Sequence, residues 1–454
     1  MATVDVLQRQ PVEDDETISV VPSSDTTTAS EDWLLQRTNL SCRNDLSKLV
    51  KLELAHCNLT SLPDELSTLL PNMEILFCPQ NPFLQVPTVI GKCPKLRMVS
   101  FKECQVEWIP PEALQPQLQW LIVTGNRLRE IPETIGRCVK LQKCMLSGNR
   151  LETLPFTAIS KLQHLELIRL ACNQLKEAPM ELLRLSNLRW AAFASNPFLQ
   201  TLTQNETSSS IEKNGSFLPI LDDPTLDDTT AEILGKGAGG VTRKVYYQDR
   251  PVAVKTFVGE ITSDGSPQDE KTINVAVAAL QDPALIELLG ETLQGALVME
   301  FLDGYQALAG PPSFDTCTRD VYPENISGLV SPEFAWTIVS DLLRVLTRLH
   351  GLGICHADFY AHNILIHPAL EKVKLSDFGA AFYYDVASDY GKAIQGIELK
   401  AFAVLVQELF DLIVVPSLTS QTTHHPWMDL LEQCQKPNVT FAEIHSKFVA
   451  TSNP

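Results

Sequence analysis

Two folded units of different class are predicted from the 454 residues: an α/β solenoid of short repeats, then an α+β domain organised around a glycine-rich stretch and an ordered set of polar residues. Three observations carry this. An apolar pattern recurs seven times at spacings of 22 to 24 residues between Leu49 and Phe198. A glycine-rich stretch at Gly235–Gly240 is followed by a strand-like Val252–Lys255, and two aspartates with an asparagine recur further on at Asp358, Asn363 and Asp377. The Ser/Thr-rich stretch between them breaks the period.

Composition narrows the field before any motif does. A formal net charge of −19 argues against a phosphate-backbone binder, because nucleic-acid affinity rests on clustered Lys and Arg. No apolar run reaches the roughly 18 residues a spanning helix needs. Even Leu399–Pro416 is interrupted by Lys400, Gln407, Glu408 and Asp411. Met1–Asp5 opens without a basic region or apolar core, and Ala2 stands where myristoylation needs glycine, so the expected address is the cytoplasm, with no membrane association. Eleven cysteines without a CxxC pair fit reduced, structural thiols.

Taken along the chain, residues 1–40 form an acidic stretch, with Asp14, Asp15 and Glu16 against few basic residues, and are expected to be disordered. Residues 41–202 hold the repeats. The first unit reads Leu49, Leu52, Leu54, Cys57, Leu59, Leu62–Pro63, and the fourth reads Leu118, Leu121, Val123, Asn126, Leu128, Ile131–Pro132. One such unit cannot bury its own apolar edge, so stacked neighbours build a continuous core. This pattern resembles the LxxLxLxxNxLxxLP class of leucine-rich repeat, in which each unit supplies a short strand and the recurring Asn, or Cys, bonds free backbone groups at the turn.

Strand alternation then places two rows on the concave face. The apolar members are Ile75, Phe77, Met98, Trp120, Ile122, Met145, Leu167 and Trp190. Together they predict an apolar surface larger than a monomer normally exposes, read as a protein-binding face. The alternative is that this chain's own linker or second domain covers it. Residues 203–226 are read as the linker and 227–454 as the second domain.

In that second domain the glycines Gly235, Gly237 and Gly240 allow a strand-turn-strand lid to approach phosphates, and Lys255 on the next strand is aimed at them. By themselves the glycines are equally a flexible hairpin. His356–Ala357–Asp358 with Asn363 on one loop, then Asp377–Phe378–Gly379, complete an ordered set, and the segment resembles the protein kinase family. The resemblance implies a bilobal protein-kinase-like fold and an ATP- and Mg2+-dependent transfer of a phosphoryl group to a protein hydroxyl.

By that resemblance Asp358 accepts or orients the acceptor proton, Asn363 and Asp377 hold Mg2+, and Lys255 meets the α/β-phosphate oxygens. Glu270 is the expected partner of Lys255 on a helix following Ser266, with Asp269 as its rival. Gly235, Gly237, Gly240, Val241, Lys255, Met299, Glu300 and Leu302 are the expected nucleotide contacts, with Met299 at the gate of the adenine site.

Several positions depart from the family pattern. Val241 follows the third glycine directly, which puts Thr242 where a valine is expected. Ala357 replaces the arginine that answers an activation-loop phosphate, predicting activity without loop phosphorylation. No Ala–Pro–Glu follows Gly379, and Asn438 stands where its arginine partner would be, so both halves of a buried ion pair are missing together and a trimmed C-lobe is expected, with a helix opening at Glu398. Tyr360 replaces the usual Lys, which leaves serine/threonine and tyrosine acceptors open. Two other readings stay beside the kinase: a pseudokinase scaffold that binds proteins through its repeats, and a small-molecule phosphotransferase.

Overall fold

The computed structural model describes residues 17–19, 32, 34–35, 43–202, 218–237, 239–417 and 426–452, and these fall into two compact units. The first comprises the described residues up to Leu188 with Asn196–Phe198. The second comprises Arg189–Ser195 and the described chain from Leu199 onward.

In the first unit the strands are three residues long: β1 (Thr17–Ser19), β2 (Lys51–Glu53), β3 (Ile75–Phe77), β4 (Met98–Ser100), β5 (Trp120–Ile122), β6 (Lys143–Met145) and β7 (Leu167–Arg169). All pair in parallel and in sequence order, with Ile75 opposite Met98, Met98 opposite Trp120 and Trp120 opposite Lys143. The first and third residue of each strand form the two rows expected from alternation. Between strands the chain returns through short helical turns such as Thr88–Lys92 and Glu133–Arg137.

Backbone groups freed at each turn are satisfied by a buried asparagine. Asn149 Oδ1 accepts from Leu128 N at 3.0 Å, while its Nδ2 donates to Val123 O at 2.9 Å and Leu146 O at 2.9 Å. Asn81, Asn126 and Asn173 repeat this arrangement. Cys104 substitutes in the third unit, donating from Sγ to Cys78 O at 3.4 Å. Nine of the ten described cysteines are buried, and burial pushes the Cys93 thiol up to about 11 and the Cys138 thiol up to about 12.

Two expectations are corrected in this unit. Thr17–Ser19 lies in the stretch expected to be disordered, yet it pairs with Lys51–Glu53 and extends the sheet by one strand. Alternating Thr and Ile have strand character that an acidic composition conceals. The concave row is also not an open apolar surface: Ile75, Phe77, Met98, Trp120, Ile122 and Leu167 are each 5% exposed or less, and Met145 is half-buried. Within the row, Lys143 Nζ sits 4.2 Å from the Trp120 ring centre.

The second unit contains β8 (Trp190–Ala192) and a six-stranded sheet. Its strands are β9 (Ile220–Leu221), β10 (Ile233–Gly237), β11 (Gly240–Tyr247), β12 (Arg250–Phe257), β13 (Leu288–Thr292) and β14 (Leu297–Glu300), in the order β10-β11-β12-β14-β13-β9. Residues 203–217 of the expected linker lie outside the described residues. The remainder is built into the sheet: β9 pairs with β13, and Leu226 packs into a core with Val245, Val252, Val254 and Val298.

Helix α1 (Pro267–Ala278) follows β12, with Ser266 Oγ capping Asp269 N at 3.0 Å and proline at its first position. Beyond β14 come α2 (Pro332–Gly351) and α3 (Asp389–Leu409), capped in the same way by Ser331 and Ser388. They are followed by α4 (Pro426–Cys434) and α5 (Phe441–Ser452). Contrary to expectation, Glu398 lies inside α3 and does not open it. The capping serine at Ser388 starts the helix earlier, which leaves only Ala380–Ser388 between Gly379 and α3.

Candidate active site

A cavity of about 350 Å³ lies under the sheet of the second unit. Leu234, Ala253, Leu297 and Met299 give it apolar walls, and Lys255, Glu270, Asn363 and Asp377 line its polar end. Such an apolar slot with a few convergent polar groups suits a small ligand carrying a flat ring and an anionic tail. A second cleft, of about 30 Å³, adjoins it and is lined by Gly235, Gly237, Gly239 and Gly240 together with Lys255, Thr262, Asp264 and Asp377.

The glycine cradle has a steric reason. A Cβ on Gly240 would lie 2.2 Å from Thr256 O, so no larger residue fits between β11 and β12 there. On β11, side chains alternate. Thr242 faces the cavity, whereas Val241, expected among the nucleotide contacts, lines neither pocket. Met299, Glu300 and Leu302 do line it, at the end of β14 and just beyond. Glu300 is ion-paired with Lys374 and also accepts from Glu287 N at 2.8 Å.

Lys255 on β12 is joined to Glu270 on α1, and Glu270 is 4% exposed. Its rival Asp269, one residue earlier, points elsewhere and accepts from Ser195 Oγ. Burial works to lower the Lys255 pKa, but Glu270 and then Asp377 outweigh it and hold the ammonium above its usual value. The cation therefore stays charged at the polar end of the cavity.

The loop before Asn363 is held from below. Glu398, buried in the middle of α3, accepts from His356 N at 3.1 Å and Ala357 N at 2.6 Å, and lies 2.8 Å from His350 Nε2. His356 Nε2 is 3.0 Å from Ser376 O, tying the loop to the stretch before Asp377. Asn363 Nδ2 donates to Asp358 O at 2.9 Å and to Asp358 Oδ2 at 3.0 Å. Asp358 is 8% exposed and is not among the residues that line the cavity. Asp377 adopts φ 60°, a left-handed conformation, and its Oδ1 accepts from Gly379 N at 3.1 Å.

As a metal site the donors expected to bind, the Asp377 carboxylate and the Asn363 amide, are few and hard, and both line the cavity. Among the described residues no group of three His, Cys, Asp or Glu could hold a metal ion. A partial oxygen shell fits Mg2+, which keeps waters and shares phosphate oxygens, and does not fit a structural transition metal.

Sequence reading missed four contributors. Glu398 has no local signature, since its role arises only from the packing of α3 against a distant loop. Thr262 and Asp264 lie in a polar stretch without a pattern and are brought beside the glycines by the path into α1. His362 lines the cavity with Nδ1 2.7 Å from Asp320 Oδ1; burial pulls its pKa down, but the Asp320 pair overcomes this and leaves it raised.

Comparison with known proteins bears on this arrangement. A model of the protein kinase domain matches residues 229–396, and a leucine-rich-repeat model matches residues 48–69. Serine/threonine-protein kinase VIK of Arabidopsis thaliana is 25% identical over 192 residues, 41% of this chain and 41% of that protein. PkaB, a serine/threonine-protein kinase of Streptomyces coelicolor, is 28% identical over 175 residues, 35% of this chain and 37% of its own length. A putative serine/threonine-protein kinase of Acanthamoeba polyphaga mimivirus is 25% identical over 177 residues, 38% of this chain and 30% of that protein. The chain thus spans well under half the length of these relatives. A solved leucine-rich-repeat protein of Leptospira interrogans shares 29% identity across 35% of this chain and 41% of its own, at a TM-score of 0.32. The chain therefore carries a leucine-rich-repeat region followed by a C-terminal protein kinase domain.

Proposed function

We propose that the chain is an ATP- and Mg2+-dependent protein kinase that passes a γ-phosphoryl group to a protein hydroxyl, acts in the cytoplasm, and is recruited or regulated through its repeats. The single observation that carries this reading is the Lys255–Glu270 pair at the polar end of the cavity that Asn363 and Asp377 also line. In this reading Lys255 neutralises phosphate oxygens and Glu270 fixes its position. Asp358, held by Asn363, accepts or orients the acceptor proton. Asn363 and Asp377 would hold Mg2+, which supplies charge neutralisation on the phosphates when bound.

The relatives named as serine/threonine kinases support that acceptor class. The nine residues from Ala380 to Ser388 support a trimmed C-lobe and activity independent of loop phosphorylation. The same shortness favours a second reading, a nucleotide-binding scaffold, since so brief a segment offers little platform for an acceptor peptide.

Radiolabelled ATP turnover separates the two. Purified chain with generic protein acceptors should transfer label, and Asp358→Asn should lower the rate by about 10²-fold or more. Equal rates in both forms would leave the scaffold, and transfer confined to aminoglycoside acceptors would make the enzyme a small-molecule phosphotransferase.

A further inference from the structure

A kinase loop needs support for the residues around its base and for the helix carrying the glutamate, and two ordinary sources of support are missing here. Ala357 has no charge with which to answer a phosphate. The nine residues between Gly379 and α3 reach at most about 30 Å fully extended, which is too little for an excursion that also returns over the catalytic loop. Yet His356–Ala361 and Asn363 are buried, as are Pro267 and Glu270 at the start of α1.

The segment Arg189–Ser195, which contains β8 and belongs to the same compact unit, touches both. Trp190 Nε1 donates to Phe359 O at 2.9 Å, and its ring stacks on Tyr360 with centroids 4.1 Å apart and planes 7° from parallel. The Arg319 guanidinium lies 5.4 Å from the centre of the same indole ring. Phe193 meets Phe382 edge-on at 5.8 Å, and Phe382 pairs with Cys355 just before the loop. At the far end of the segment Ser195 Oγ donates to Asp269 in the first turn of α1.

We propose that Arg189–Ser195 stands in for the missing activation-segment support, with Trp190 and Ser195 as positioning residues that fix the catalytic loop and the start of α1. This rests on the kinase reading for its effect on rate, though not for its effect on order. Trp190 holds the backbone carbonyl one residue after Asp358 and locks the side chain two residues after it, so Asp358 is presented in one orientation. Ser195 restrains α1 one residue before Glu270, which keeps Glu270 turned toward Lys255. A segment that belongs by sequence to the last repeat thereby becomes a condition of the phosphoryl-transfer geometry.

Three variants of the full chain test this: Trp190→Ala, Trp190→Phe and Ser195→Ala, measured by steady-state kinetics and by amide hydrogen exchange. The Trp190→Ala change should lower kcat about tenfold, from loss of a ring stack and one hydrogen bond, with the KM for ATP within about twofold of wild type. Trp190→Phe keeps a ring for the stack but no N–H, and should retain about a third of kcat. Exchange should quicken at residues 354–366 in Trp190→Ala, less so in Trp190→Phe, and at residues 267–273 in Ser195→Ala. A rise in turnover on removing Trp190 would overturn the proposal, because the segment would then be a block. Unchanged exchange at 354–366 would overturn it equally. If wild type shows no Asp358-dependent turnover, the kinase reading has failed, and the exchange pattern alone decides whether the segment orders the loop. Should Trp190→Ala not fold, the Phe and Ser195→Ala variants carry the same readouts.

Discussion

A carboxylate taken fully out of water is costly unless donors surround it. Glu398 meets that condition with two backbone N–H groups and His350. Burial alone would raise its pKa, but His350, His356 and the Ala357 amide outweigh burial and bring it below the usual carboxylate range. The same grip holds Ala357 at φ 65°, a conformation that costs a residue with a Cβ about 1–2 kcal/mol. Glu398→Ala strands both amides and should destabilise the chain by about 3 kcal/mol, while Glu398→Gln retains one acceptor and should lose about half as much. Urea midpoints of the two variants check the order, and a Gln variant weaker than the Ala variant would contradict it. Residues of this kind were hidden in the sequence. Lys255, Asn363 and Asp377 announce themselves because each lies beside a short fixed neighbourhood of glycines or apolar strand residues. Glu398 is one acid among many until a helix folds it under a loop 41 positions away.

At the scale of elements, α2 is tied to the stretch after α1 by a charge cluster. Asp282 accepts from Arg344 Nε at 3.0 Å and Nη2 at 2.8 Å, from Arg348 Nη1 at 2.9 Å and from Ala284 N at 3.0 Å. Burial raises the Asp282 pKa, but these donors prevail and lower it from 3.8 to about 2. Since the folded value lies below the unfolded one, the stabilisation is fully present above about pH 4 and fades as pH falls toward 2. Both arginines are more than a third exposed, so solvent screening trims the contribution, and Asp282→Asn should cost about 2 kcal/mol at neutral pH. Denaturation of wild type and variant from pH 7 to pH 3 should give a constant gap down to about pH 4 that then narrows. A gap that widened on acidification would mean the sign is wrong. Elements differed in how readable they were for a comparable reason. The repeat strands follow from alternation and from asparagines whose bonding is local to one turn. The start of α3 depended on the Ser388 cap, which was overlooked beside the expected kinase pattern, and β1 depended on a partner 34 positions further along the chain.

For the whole molecule, the division into repeats and a phosphate-handling domain was legible because each half has a pattern of its own. The assignment of Arg189–Ser195 was not, because a strand with perfect repeat spacing carries no mark of the unit it packs into. A test at this scale exploits linkage between ligand and folding: a nucleotide that binds only the folded site stabilises by RT ln(1 + [L]/Kd), about 2.7 kcal/mol at a hundred times Kd. For a unit of this size that corresponds to a rise in Tm of about 5–10 °C. Wild type with ATP and Mg2+ should show such a rise. Lys255→Met should reduce it by removing the cation that meets the phosphates, and Asp377→Asn should leave only the part that does not depend on Mg2+. Asp358→Asn should keep the full shift, since Asp358 does not line the cavity. A shift that was the same with and without Mg2+ in every variant would place the nucleotide elsewhere. A full shift in wild type without any turnover would assign the site to binding alone, so this measurement and the phosphotransfer assay divide the enzyme from the scaffold between them.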